Sequence, residues 1–135
     1  MERYVLIDHT ADLMVKAFGS TLEECFVNAG FALFSETVDL SGIAASEETE
    51  FEVEGIDDED MLYSFLSELL FIEDCDNLIL REIEVSIDGT KVRCRGRGEK
   101  LDRTRHRIRS EIKAVTYHMM EVDRETPSVT VVFDV

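Results

Sequence analysis

The chain has 135 residues with 30 Asp/Glu against 14 Lys/Arg, a formal net charge of −16, and 44% hydrophobic residues. That length predicts one domain, spanning residues 1–135, with an ordinary buried core, and the apolar content excludes a disordered chain despite the charge. No apolar run is long enough to span a membrane, and MERYVLIDHTAD lacks the basic-then-apolar order of a secretory signal, so a cytoplasmic protein is expected. Cys25, Cys75 and Cys94 have no CxxC spacing and read as reduced, mostly buried thiols.

In chain order, Tyr4 to Ile7 and Met14 to Phe18 read as short strands around the polar DHTAD. Ser20-Thr21-Leu22-Glu23 matches a capping box, with Glu23 reaching back, and predicts a first helix from Thr21 to about Glu36. Leu22, Cys25, Phe26, Ala29 and Leu33 give it a helical apolar face. A loop over 41–48 leads to an alternating strand over Thr49 to Glu54, with glutamates on its polar face. Asp57 or Asp58 caps a second helix that ends near Cys75 or Asn77.

Strands follow. Leu78 to Asp88 and Lys91 to Gly98 flank Asp88-Gly89, a hairpin turn signal, and Gly96 and Gly98 suggest a bulge. Glu99 to Arg109 is a charged connection. Glu111 to Val122 reads as a strand with Ile112, Ala114, Thr116, His118, Met120 and Val122 on one face, although its pattern also allows a short helix. Thr126-Pro127 turns the chain into a last strand over Ser128 to Val135. The expected fold is α+β, two-layer, with two helices packed on one face of a mostly antiparallel sheet.

Charge is unevenly placed. Through Thr90 there are 3 Lys/Arg against 23 Asp/Glu, and from Lys91 onward 11 against 7. The basic stripe from Lys91 to Lys113 has three readings. Arg93, Arg95 and Arg97 could contact phosphates, meet an acidic protein, or pair with the chain's own acids. Aromatic residues for base stacking are missing from the stripe, which argues against a single-strand platform.

No zinc spacing, phosphate loop or nucleophile elbow is present, so an autonomous hydrolase is a poor fit. What remains is oxygen. Asp8 and Asp12 bracket a polar break, and Asp134 and the α-carboxylate of Val135 lie at the other end of the chain. Domain termini are often close, so these groups can converge on a hard divalent cation; the bland alternative is turn carboxylates and a frayed end.

In order, DHTAD, GSTLEECFVNAGFALF, SELLF, a charged loop with His106, EIKAVTYH and a terminal VVFDV resemble the archease family over nearly the whole chain. The resemblance implies a compact α+β accessory protein, not an enzyme, that assists the RtcB-type tRNA-splicing RNA ligase. It would promote GMP transfer to the ligase histidine, support multiple turnover and broaden nucleotide use. It also implies a divalent metal, Ca²⁺ or Mg²⁺, held by Asp12, Asp134 and the terminal carboxylate of Val135. No role follows for His9, Thr10, Lys113, Thr116, Tyr117 or His118, which lie in the shared motifs. The alternative it carries is a chaperone or specificity modulator of another tRNA-processing enzyme, such as a tRNA methyltransferase.

Overall fold

The computed structural model describes residues 2–8 and 12–135. In chain order the elements are β1 (Tyr4–Ile7), β2 (Leu13–Phe18), α1 (Leu22–Thr37), a single 3-10 turn (Leu40–Gly42), β3 (Glu47–Glu54), α2 (Asp58–Asp76), β4 (Leu78–Asp88), β5 (Lys91–Lys100), β6 (Ala114–Asp123) and β7 (Ser128–Asp134). The strands form two antiparallel sheets, ordered β1-β2-β7-β6 and β3-β5-β4. The α+β class and its two helices are as expected. The strands, however, divide between two sheets, and each helix contacts both of them.

Helix α1 begins where Thr21 Oγ1 accepts from the Glu24 N–H at 3.1 Å, and Glu24 reaches back to the Ser20 N–H at 3.2 Å. The cap is therefore set one residue later than the expected pairing with Glu23, because the threonine hydroxyl, not the serine, occupies the N-cap. Asp57 caps α2 by accepting from the Asp60 N–H at 2.8 Å, and Asn77 ends it in the left-handed region. Phe65 of α2 lies against Phe26 of α1 and Phe51 of β3, with ring centroids 5.5 and 6.1 Å away. These fully or partly buried rings tie both helices to the three-stranded sheet. Cys25 and Cys94 are buried, Cys75 is exposed, and all three are free thiols.

Two irregularities shape the strands. The β4–β5 hairpin turns at Gly89-Thr90, one residue later than the expected Asp88-Gly89, because Asp88 still pairs with Lys91. Gly89 takes φ of 63° at the first loop position, where a type II′ turn favours glycine. The ladder then shifts between Leu80 and Glu82, so the extra residue is Arg81 of β4, opposite Gly98 and Arg97. Gly98 thus accommodates the bulge from the facing strand; a Cβ there would sit 1.7 Å from the Ile79 carbonyl oxygen.

The second irregularity overturns the expected single parity of β6. Thr116 pairs with Val132 but Glu121 pairs with Thr130, so Tyr117 to Met120 stand opposite Val131 alone. The three additional residues reverse the faces. Val115 is buried before the bulge, rather than Ala114 or Thr116, and Met120 and Val122 pack against the core after it. Met119 takes φ of 55° to make the detour.

Candidate functional site

The β2–β7 ladder ends at Leu13 opposite Phe133. Asp12 and Asp134 are each the next residue outward, so adjacent strands carry both aspartates to the same end of the four-stranded sheet. Ile7 pairs with Met14, so Asp8, the residue after β1, lies at that end too. On the other flank Ala114 pairs with Asp134, and the Lys113 N–H donates to the Asp134 carbonyl at 2.7 Å. The Asp134 backbone is thereby held from the β6 side, while Asp134 and Val135 are exposed and Asp12 is half-buried. Among the described residues no three His, Cys, Asp or Glu side chains converge on one point. The expected set contains only two such side chains, its third member being a main-chain carboxylate. His9 and Thr10 lie outside the described residues.

The basic stripe on β5 runs between two acidic strands. Arg93 meets Glu52 at 3.1 Å, Arg95 meets Glu50 at 3.3 Å, and Arg97 meets Glu48 at 3.4 Å. Across β5 the register puts Glu82 beside Arg97, Glu84 beside Arg95 and Asp88 beside Lys91. Of the three readings of the stripe, pairing with the chain's own acids is the one these contacts support. Beyond it, the loop carrying His106 folds onto Glu99. The buried imidazole accepts from the Asp102 N–H at Nδ1 (2.9 Å), which leaves Nε2 to donate to Glu99 at 3.1 Å. Glu99 also accepts from the Ala44 N–H and from Arg105, and these bonds, the Ala44 one foremost, hold its carboxyl down at about 2. His106 is a loop lock with both ring nitrogens engaged.

The chain matches the model of the Archease protein family (MTH1598/TM1083) over residues 4–135. It is 41% identical over 128 residues to protein archease of Pyrococcus abyssi, covering 92% of this chain and 90% of that one. With protein archease of Methanopyrus kandleri it shares 40% over 123 residues, covering 88% of each. This chain belongs to the archease family.

Its fold agrees with solved structures of that kind. The solution structure of Methanobacterium thermoautotrophicum protein 1598 is 34% identical, with a TM-score of 0.84 and full coverage of both chains. The crystal structure of a Thermotoga maritima archease, described as a possible chaperone, is 26% identical with a TM-score of 0.63, covering 96% of this chain and 94% of that one. The archease relatives are thus named as proteins or a possible chaperone, not as enzymes. No helix among the described residues is long and apolar enough to cross a membrane.

Two features of this archease fold were not singled out by sequence. A cavity of about 160 Å³ is lined by Glu73, Asp74, Arg103 and Glu111, among others, and burial first, then Asp74, pushes the Glu73 carboxyl up to about 7. Its parts come from α2 and the connection to β6, and no local motif announces them. The other is the stacked pair Tyr63 and Tyr117, with centroids 4.0 Å apart and planes 7° from parallel. Helical spacing places Tyr63 beside the apolar stripe of α2, but its partner depends on the bulge in β6.

Proposed function

We propose that this protein is a non-enzymatic accessory factor that activates an RtcB-type tRNA-splicing RNA ligase through a divalent cation at the end of its four-stranded sheet. The observation that carries the reading is the strand register: β2 and β7 deliver Asp12 and Asp134 to one place from opposite ends of the sequence. Asp12, Asp134 and the α-carboxylate of Val135 would hold the ion. An oxygen-only donor set of this kind suits Ca²⁺ or Mg²⁺ and not a soft metal. Bound there, the ion would supply positive charge to a phosphoryl-transfer centre, where charge stabilisation dominates catalysis. The chain's own contribution is positional. Antiparallel pairing fixes β7 between β2 and β6, and the Lys113 N–H bond orients the Asp134 main chain. The net charge of −16 favours encounter with a basic, RNA-binding enzyme.

The test is guanylylation of a purified RtcB-type ligase by GTP, with and without this protein. Asp12→Ala and Asp134→Ala should each abolish the stimulation while leaving the circular dichroism spectrum unchanged. Full stimulation by both variants would refute the metal-bearing tip. The Thermotoga relative's description as a possible chaperone favours a second reading; on that reading we propose a tRNA-processing enzyme as the client. That reading expects suppression of client aggregation that persists in both aspartate variants.

A further inference from the structure

The bulge in β6 carries an unusual surface. Four residues are lifted out of the ladder between Thr116 and Glu121, and Met119 occupies the left-handed region without being glycine. Side-chain-bearing residues at positive φ are uncommon and costly, and they concentrate where a surface is being shaped for use. Here the detour presents Tyr117 at 53% and Met119 at 55% exposure. Tyr63 from α2 covers one face of the Tyr117 ring by parallel stacking, which fixes the pair as a rigid slab. Ile56, at 88% exposure, belongs to the same surface, because Asp60 accepts both the Ile56 N–H at 2.9 Å and the Tyr117 O–H at 2.7 Å.

The rim of this patch is acidic. Asp57 at the N-cap and Asp58, Glu59 and Asp60 in the first turn crowd the start of α2. Arg124 neutralises Asp58 through two bonds of 2.6 and 2.7 Å, leaving Asp57, Glu59 and Asp60 as the excess charge beside the rings. A phenol donating to a carboxylate is polarised toward an electron-rich ring, which strengthens attraction to a cation over its face. Flat aromatic faces also stack nucleobases, but a phosphate chain would be repelled by three carboxylates that no cation among the described residues neutralises. A planar, weakly hydrated guanidinium satisfies ring and rim together better than a compact ammonium does.

We propose that the Tyr63–Tyr117 slab and the acidic start of α2 form a docking surface for an arginine-bearing basic segment of a partner protein. This rests on the reading that the protein works by binding another protein, and is independent of the metal. The probes are the blocked tripeptides acetyl-Gly-Arg-Gly-amide and acetyl-Gly-Lys-Gly-amide, titrated at physiological salt into the isotope-labelled full chain. The Tyr63 and Tyr117 ring and Met119 methyl resonances are followed by NMR. The arginine peptide should shift them saturably and bind at least about threefold more tightly than the lysine peptide. Tyr117→Leu should weaken it by roughly tenfold, and Asp60→Asn, which keeps the shape and removes the charge, by a few-fold. The proposal is overturned by no saturable shift up to about 20 mM peptide, by equal binding of both peptides that survives Tyr117→Leu, or by an oligouridylate shifting the same resonances more tightly. Ligase stimulation does not enter the readout, so failure here and failure of the metal-bearing tip are separable.

Discussion

Glu73 and Glu99 are displaced in opposite directions from the same starting value of 4.5, one to about 7 and one to about 2. Glu99 accepts hydrogen bonds as a carboxylate, so its contribution is present above about 4.5 and is lost as pH falls toward 2. Glu73 behaves the other way. Its burial favours the protonated acid, so the folded state holds a proton that the unfolded chain releases, and stability falls as pH rises from 4.5 through about 7. Glu73→Gln should therefore stabilise the protein at pH 8 by about 1 kcal/mol, the larger formal value being reduced because the site is partly open to solvent. That corresponds to roughly 3–5 °C in Tm, with little change at pH 5. Thermal unfolding at both pH values checks the sign; equal shifts at pH 5 and pH 8 would contradict it.

At the scale of elements, the β4–β5 hairpin depends on one glycine for its bulge. Gly98→Ala would drive a methyl group into the Ile79 carbonyl, a backbone atom that cannot swing aside, and the loss should be on the order of 3 kcal/mol or more in urea unfolding. The two helices, the caps near Thr21 and Asp57, and the β4–β5 hairpin, though its turn falls at Gly89-Thr90, were legible in sequence because each rests on a local pattern. The sheet division was not, since which strand edges bond is decided between segments far apart in the chain. Parity failed in β6 for the same reason. Alternation reads faces correctly only while the ladder is regular, and the residues from Tyr117 to Met120 break it without a glycine or proline to mark the place. Of the candidate site, residue identities came from motif resemblance, and the β2–β7 register supplies their common location. Glu73 and the tyrosine pair stayed hidden because their environments are assembled from remote segments.

The whole molecule brings sequence positions more than 120 apart to one sheet end, where Asp12 and Asp134 flank the last β2–β7 pair. If the α-carboxylate of Val135 is the third donor, the proposed ion is sensitive to anything attached there. A short C-terminal extension converts that carboxylate to an amide. It should weaken Ca²⁺ or Mg²⁺ binding by at least the tenfold that loss of an outer hydrogen-bonding partner costs a metal site. Val135→Ile should leave binding unchanged. Calorimetric titration of the tagged and untagged proteins distinguishes the two, and equal affinities would remove Val135 from the donor set. The paired charges on the three-stranded sheet have a different consequence. Glutamate recurs at every second residue from Glu48 to Glu54, facing a cation at every second residue of β5. Sliding β3 by two residues would preserve most of those encounters, so opposite charge tells β3 which neighbour to join but not where to stop. Its address along β5 must come from the uncharged face, where Phe51 meets Cys94 and Val53 meets Val92, and from the Gly55 N–H closing onto the Thr90 carbonyl at 3.0 Å.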